Sequence, residues 1–221
     1  MSDLRERALL ERYLELLYSA SQRLNLTRIP RSQAWARHID EALDLIPLRQ
    51  WTVGESVLDL GSGGGIPGIP LAISQPGVSL GLIERDRAKA TFLVDCAARL
   101  GLASVQVLAL DALELARRPG FRAADVLVSR AALPLPRLLR VASRLLRVGG
   151  EGLVHVGESA ALTDEVVRAA GRVGISDLHL ESSGSSRVLR FIKLRAGSRT
   201  ANPGRVGPPS IPEADGDPDS S

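Results

Sequence analysis

From residue 56 onward, the chain alternates short apolar runs with longer segments in which apolar residues recur at helical spacing. The runs are nearly continuous, a pattern typical of strands that helices cover on both faces of a sheet. The pattern predicts an α/β fold with strands at 56–60, 78–83, 105–110, 125–129 and 152–156. The segments between them predict helices near 67–74, 86–100, 134–147 and 159–172.

Two more apolar runs, at 177–180 and 188–193, follow the last of these helices. The Ser- and Gly-rich segment between them, 182–186, is too short to hold a crossover helix. The last strand is therefore expected to run antiparallel to its neighbours. Together the runs predict a mostly parallel seven-stranded sheet of the Rossmann-like type, with an antiparallel last strand.

Two helices are expected before the sheet. Leu10, Leu14 and Leu17 fall on one face of a helix predicted from an N-cap at Ser2 to about Arg23. These apolar residues would pack the helix against the sheet.

The second of these helices is expected to begin at an N-cap, Ser32, and to end at Pro47. Residues 1–50 are then an N-terminal helical cap, and residues 51–195 form the sheet domain. The remaining segment, 196–221, holds five of the thirteen prolines and has no apolar periodicity. That composition predicts a disordered tail.

The composition is ordinary for a globular protein, with 44% hydrophobic and 24% charged residues among 221. No apolar run approaches the roughly 20 residues of a membrane span, and the charged N-terminus has no signal-peptide core. Cys96 is the only cysteine, which excludes an intrachain disulfide and a cysteine-rich zinc site. We therefore expect a cytoplasmic protein that has no membrane segment, binds no metal and acts as a monomer.

The net charge is +3, with an isoelectric point near 9.6. Arginine supplies nearly all of the positive charge, because Lys89 and Lys193 are the only lysines. Arginine suits bidentate contacts to phosphate, although the codon bias of a GC-rich genome explains its abundance equally well. This modest surplus of positive charge permits a nucleic-acid partner without requiring one.

The most informative motif follows the first predicted strand. Asp59 ends the strand, and Gly61, Gly63 and Gly65 follow at alternate positions in a turn expected to bring backbone N–H groups close to a ligand. With Gly68, the turn also matches a dinucleotide fingerprint. A carboxylate before the turn is badly placed for an anionic pyrophosphate, and it suits an ammonium or sulfonium group. The motif thus favours S-adenosylmethionine over NAD, with a plain glycine turn as the alternative.

Polar residues also follow the next strands, at the edge where doubly wound sheets bind ligands. Glu84 is placed to bind both hydroxyls of a ribose, a device that NAD enzymes share. Asp111 can accept from the exocyclic amine of adenine while the next N–H meets a ring nitrogen. The fourth strand ends at Ser129 and Arg130, the place from which methyltransferases usually contact the methyl acceptor. Helix capping or a solvated turn is the alternative role for both acids.

The residues after the fourth strand narrow the chemistry. They lack the Asn/Asp-Pro-Pro-aromatic element common in adenine-N6 and cytosine-N4 methylation. Cys96 lies mid-helix among apolar residues, so it does not suit the thiolate that cytosine-C5 methylation needs. An acceptor with a free lone pair, such as guanine N7, needs no general base, only proximity and orientation. A small-molecule acceptor would behave in the same way.

Four pieces of the chain carry a resemblance to a known family: Asn-Leu-Thr at 25–27, Arg-His-Ile at 37–39, the run 59–73 and Ser-Arg-Ala at 129–131. Over residues 8–195 the chain resembles the bacterial small-subunit rRNA methyltransferase G family. The resemblance implies a class I methyltransferase fold and N7-methylation of a guanine in 16S rRNA. It also implies S-adenosylmethionine as cofactor and 16S rRNA or the 30S subunit as partner.

The resemblance assigns roles to single residues. It implies that Gly61 and Ile66 contact the cofactor, and that Ala112 and Leu113 do so through their backbone. It places Arg130 beside cofactor and substrate and makes it the candidate catalytic residue, with an ion pair to Asp59, Glu84 or Asp111 as the alternative. His38 and Arg205 are the other candidates for substrate binding. His38 either faces the site or has a capping or packing role, and Arg205 belongs to a basic, proline-containing tail found in many members.

The chain also departs from the family pattern on the side expected to face RNA. The departures are Ala20 and Ser21 for Trp-Asn, Glu41 and Ala42 for Asp-Ser, Asp111 for Arg, Leu113 for Glu, and Val156 for Lys. Two alternatives therefore stay open beside the rRNA methyltransferase. One is a methyltransferase of another RNA or of a small molecule, and the other is a catalytically silent RNA-binding or ribosome-assembly protein.

Overall fold

The structure of the chain, a computed structural model, describes residues 2–130 and 132–195. Its strands are β1 (Ser56–Leu60), β2 (Ser79–Ile83), β3 (Val105–Leu108), β4 (Ala124–Arg130), β5 (Leu146–Val156), β6 (Ile175–Ser183) and β7 (Ser186–Lys193). They form one seven-stranded sheet in the order β3-β2-β1-β4-β5-β7-β6. All pairs are parallel except those of β7, which runs antiparallel to both β5 and β6. The predicted sheet and its antiparallel last strand are confirmed.

Helices cover both faces of the sheet. They are α1 (Ser2–Leu24), α2 (Glu41–Leu43), α3 (Gly68–Ser74), α4 (Arg87–Leu100), α5 (Ala112–Leu115), α6 (Leu135–Leu145) and α7 (Asp164–Arg172). Successive strand residues point to opposite faces, so Val57 joins one core cluster and Leu58 the other. Leu10 and Leu17 of α1 lie in the cluster of Val57, which shows that the N-terminal cap shares a core with the sheet.

The second predicted N-terminal helix is not continuous, and this part of the prediction was wrong. A 3-10 turn (Arg31–Gln33) leads into a π-helical turn (Trp35–Asp40), the short α2 and another 3-10 turn (Ile46–Leu48). Ser32 lies inside the first turn, and Pro30 takes the N-cap position without a side-chain bond. A π-helical turn holds more residues than an α-helical one. Here it buries the adjacent residues His38 and Ile39.

Other boundaries shift because tertiary pairing extends or shortens an element. β5 begins at Leu146, six residues before its apolar run, because Leu146 pairs with Ala124 beside a bulge in the β4–β5 ladder. α6 consequently ends at Leu145. α7 begins only after Thr163, whose hydroxyl caps it by accepting from the Val166 N–H. The predicted disordered tail, with Arg205, lies outside the described residues.

Candidate functional site

The carboxyl ends of β1 to β4 meet at one edge of the sheet, because these adjacent strands run parallel. Four predicted site residues lie there: Asp59 in β1, Glu84 directly after β2, Asp111 beyond β3 and Arg130 at the end of β4. The fold therefore assembles one polar rim from four separate parts of the chain.

The backbone conformation of the turn after β1 requires glycine at three positions. Gly61, Gly63 and Gly65 have φ of 73°, 55° and 95°, a region that favours glycine. A Cβ on Gly65 would also lie 2.7 Å from Cγ1 of Ile69. Replacing this glycine would therefore strain the backbone and displace a core side chain.

Most N–H groups of this turn already donate within the protein, which leaves few of them for the ligand that the sequence predicts. Ile66 itself is buried in the core beside α3. Five N–H groups donate within the protein: those of Gly61 and Ser62 to the Ile83 carbonyl, that of Gly63 to Glu84 Oε2, and those of Gly65 and Ile66 to the Ser62 carbonyl. A pyrophosphate would need such donors free, so the turn is unsuited to a dinucleotide.

Asp59 lies at the start of α3, where the N–H groups of a helix could otherwise bind a phosphate. It is fully buried, and its Oδ2 accepts from the Gly68 N–H at the start of α3 at 3.2 Å. Its Oδ1 is buried too and has no hydrogen-bond partner among the described residues. Burial raises the pKa of Asp59 to about 7, although the Gly68 N–H and the nearby Ser62 side chain oppose the shift. An unpartnered buried carboxylate oxygen is an acceptor suited to a cationic group.

Glu84 is held in one orientation by the backbone. Its Oε2 accepts from the Gly63 N–H at 2.9 Å, and its Oε1 accepts from the Asp86 N–H at 2.8 Å. The side chain is nearly buried. Since a carboxylate oxygen has more than one acceptor position, each oxygen can still accept from a ligand hydroxyl.

Asp111 takes the alternative role considered for it, that of a helix cap. It is the N-cap of α5, and its Oδ1 accepts from the Leu113 N–H at 2.8 Å. That N–H is therefore already engaged. The N–H of Ala112 is at the first position of the helix, where no partner exists inside the helix. Ala112 is thus the better backbone donor of the two.

Arg130 contacts the N-terminal segment rather than the acids of the rim. Its Nη1 donates to the Arg37 carbonyl at 2.7 Å and lies 3.6 Å from Oε2 of Glu41. Its Nη2 lies 3.3 Å from Nδ1 of His38. The expected alternative of an ion pair with Asp59, Glu84 or Asp111 is replaced by one with Glu41.

His38 is fully buried and joins three groups. Its Nδ1 lies 3.2 Å from the Arg37 carbonyl, to which it can donate, and 3.3 Å from Nη2 of Arg130, from which it can accept. Its Nε2 lies 2.9 Å from Oγ1 of Thr27. Burial and the nearby Arg130 lower the pKa of His38 to about 4. His38 is therefore neutral at neutral pH and links the loop at 25–27 to the rim.

Glu41 was missed as a site residue by the sequence reasoning. Its Oε1 lies 2.7 Å from Nε of Arg37, and its carbonyl accepts from Nε2 of His155 at 2.6 Å. Glu41 thus joins Arg130 to β5. The spacing of four residues between Arg37 and Glu41 was a signal for this pair, since such residues are neighbours on a helix.

Most departures from the family pattern have structural roles. Ser21 Oγ donates to the Thr27 carbonyl and accepts from the Thr27 N–H, so it holds the loop at 25–27. Ala42 is buried in the core, and Ala20 and Val156 pack against core clusters. These residues affect the site through core packing and through the conformation of the loop at 25–27.

Other chemistries find little support in the described ranges. Burial raises the pKa of Cys96 to about 12, which makes a thiolate nucleophile there unfavourable. Residues 2–130 and 132–195 hold no group of three His, Cys, Asp or Glu side chains suited to a metal ion. Within the same ranges, no helix is long and apolar enough to cross a membrane.

Comparison with known proteins gives a consistent result. The family model for rRNA small subunit methyltransferase G matches residues 6–183. The Ribosomal RNA small subunit methyltransferase G of Sorangium cellulosum is 36% identical over 164 residues, which cover 73% of this chain and 68% of that protein. Its namesake from Solibacter usitatus is 37% identical over 174 residues, covering 76% of this chain and 78% of that protein.

Solved structures share the fold at low identity. MtNAS in complex with MTA and tNA has a TM-score of 0.59 at 18% identity and covers 88% of this chain and 76% of that one. The S-adenosylmethionine-dependent methyltransferase SibL has a TM-score of 0.58 at 17% identity and covers 85% of this chain and 70% of that one. At these identities the likeness concerns the fold alone, and it agrees with the predicted class I methyltransferase fold.

Proposed function

Because the chain belongs to the rRNA small subunit methyltransferase G family, we propose that it methylates guanine N7 in 16S rRNA with S-adenosylmethionine. The unpartnered Oδ1 of Asp59 is the observation that carries the choice of cofactor. In the same place a dinucleotide would meet a carboxylate and a turn in which most N–H groups are occupied.

We propose that the rim residues would hold the separate parts of the cofactor. Asp59 would pair with the ammonium of the methionine moiety, and Glu84 would accept from the two ribose hydroxyls. The N–H of Ala112 and the second oxygen of Asp111 would bind the adenine. When bound, the cofactor supplies an electrophilic methyl group on a sulfonium. The protein residues bind and orient the two reactants.

The reaction needs no general base. The N7 lone pair forms the new bond to the methyl carbon as the sulfur–carbon bond breaks, and no proton leaves N7. His38 is neutral and holds Arg130 in place. Arg130 then orients the base through an acceptor such as guanine O6, or pairs with a neighbouring phosphate. Catalysis is mainly proximity and orientation.

The RNA partner is proposed to be the 30S subunit, in the cytoplasm, with the enzyme acting as a monomer. An assembled subunit can present an unstacked guanine to a rim site of this kind. The basic composition supports an RNA partner, because arginine makes strong contacts to phosphate.

The test is to map N7-methylguanines in 16S rRNA from a deletion strain, before and after complementation with this chain. Loss of one mark and its return on complementation are expected. If no rRNA base changes while the purified protein still binds S-adenosylmethionine, a methyltransferase of another substrate is favoured. If the protein binds no S-adenosylmethionine either, a silent RNA-binding or assembly protein is favoured.

Glu41→Gln is expected to lower kcat by about tenfold and to leave the affinity for S-adenosylhomocysteine nearly unchanged. The substitution keeps the shape but removes the charge that pairs with Arg37 and Arg130. Steady-state kinetics on 30S subunits lacking the mark, with calorimetry for the cofactor product, measures both quantities. Glu41→Asp should recover part of the rate.

Glu151→Gln is the matched control for this substitution. Glu151 also pairs with two arginines, Arg49 and Arg190, but it lies away from the rim. It should lower stability without a selective loss of kcat. Equal kinetic effects of Glu41→Gln and Glu151→Gln would contradict a positioning role for Glu41.

A further inference from the structure

A cavity of about 660 Å³ lies on the sheet face opposite α4, between strands β1 to β3 and the segment 115–122. It extends from Ser56 and Ser79, at the amino ends of their strands, toward Leu110. The cofactor rim lies at the other, carboxyl ends of these strands. The cavity is therefore a feature separate from the site described above.

The short helix after β3 leaves this space. The connection from β3 to β4 contains only the four residues of α5 as helix, whereas α4 on the opposite face has fourteen. Gly81, in the middle of β2, lets two lining side chains lie flat on the sheet. A Cβ there would lie 2.7 Å from Cδ2 of Leu58 and 3.3 Å from Cδ1 of Leu108.

The lining has a mixed chemistry. Leu58, Leu108 and Phe121 supply apolar surface, and Arg118 lies at the wall formed by the loop. Gln106 projects from β3 into the same space, and its Oε1 is buried without a hydrogen-bond partner in the described part of the chain. Apolar walls with a few convergent polar groups are typical of small-molecule sites.

We infer that this cavity binds an aromatic anion that carries an N–H donor. The ring packs against Leu58 and Leu108. The N–H donates to Gln106 Oε1, and the anionic group pairs with Arg118. Among the described residues Arg118 forms an ion pair with Glu114, at 3.5 Å, and both side chains are largely exposed, so this pair is easily exchanged for a ligand. The site goes beyond the methyl-transfer reaction and does not depend on it.

The test uses 8-anilino-1-naphthalenesulfonate as the probe, because it has fused aromatic rings, one N–H and one sulfonate. The full chain is first saturated with S-adenosylhomocysteine, so that the rim is filled. Fluorescence titration is expected to show one saturable site with Kd on the order of 10 µM. The absence of a saturable site would overturn the inference and indicate a water-filled space.

Three variants locate the probe. Gln106→Leu, which removes the acceptor, and Arg118→Gln, which removes the charge, should each weaken binding at least about fivefold. Gly81→Val pushes the side chains of Leu58 and Leu108 into the space and should abolish binding, while Gln106→Leu keeps the test decisive if that variant folds poorly. The control is Arg168→Gln, an exposed arginine on α7 that forms an ion pair with the nearby Asp164. Unchanged binding in Gln106→Leu and Arg118→Gln would overturn the inference.

Discussion

Arg130→Ala is expected to lower kcat/KM for methyl transfer by about 10²-fold or more while the protein stays folded. The guanidinium lies at the end of β4, held by the Arg37 carbonyl, His38 and Glu41. Its loss removes the group that orients the acceptor. The cost in stability is about 1–2 kcal/mol, because the Arg37 carbonyl loses its donor while Glu41 keeps Arg37 as a partner.

The assay is methyl incorporation into 30S subunits that lack the mark, with thermal unfolding in parallel. Arg130→Lys should recover little activity, because a point charge does not reproduce the planar fork. Arg190→Ala is the matched control, since Arg190 is similarly exposed and pairs with Glu151 of β5 and Glu181 of β6, the two neighbours of its own strand. Full activity of Arg130→Ala would leave the acceptor side of the site without an assigned residue.

Asp59→Asn is expected to weaken binding of S-adenosylhomocysteine at least about tenfold and to stabilise the free protein above pH 7. Binding weakens because the variant lacks the charge that faces the ammonium. The free protein gains stability because the buried carboxylate is costly to ionise, which raises its pKa to about 7. Asn keeps an oxygen that can accept from the Gly68 N–H.

The direction of the pH dependence follows from this raised pKa. The unfolded chain ionises Asp59 near pH 4 and the folded chain near pH 7. Between these values the folded state binds more protons, so the contribution of Asp59 to stability falls as pH rises, and it stays at its lowest value above pH 7. The shift corresponds to at most about 4 kcal/mol, which the Asn variant recovers.

Thermal unfolding at pH 5 and pH 8, with calorimetry at pH 8, measures both effects. Asp125→Asn is the control, because Asp125 accepts from the Ser56 N–H and pairs with Arg147 at the opposite end of the strands. It should lose stability at pH 8 and leave cofactor affinity unchanged. An Asp59→Asn variant that is less stable at pH 8 and binds as tightly as the parent would contradict the assigned role.

The order of elements could be predicted because it rests on local patterns. Near-continuous apolar runs predicted strands, and the central residues of each predicted strand lie in an observed strand. The short Ser-Gly connector at 182–186 predicted the antiparallel last strand, which the structure confirms. The same reasoning placed Asp59, Glu84, Asp111 and Arg130 at one rim, since the carboxyl ends of adjacent parallel strands meet. Family membership could also be predicted, from four short motifs.

Contacts between distant parts of the chain were decided only by the tertiary structure. Sequence spacing could not show that the N–H groups of the glycine turn are used internally, or that Arg130 pairs with Glu41, a residue 89 positions earlier. The broken N-terminal helix and the cavity beside β1 to β3 were also decided by tertiary packing, because burial and packing outweigh local propensity. The sequence by itself determined which groups stand at the rim, and the packing of the N-terminal segment against β4 and β5 decided how they are held.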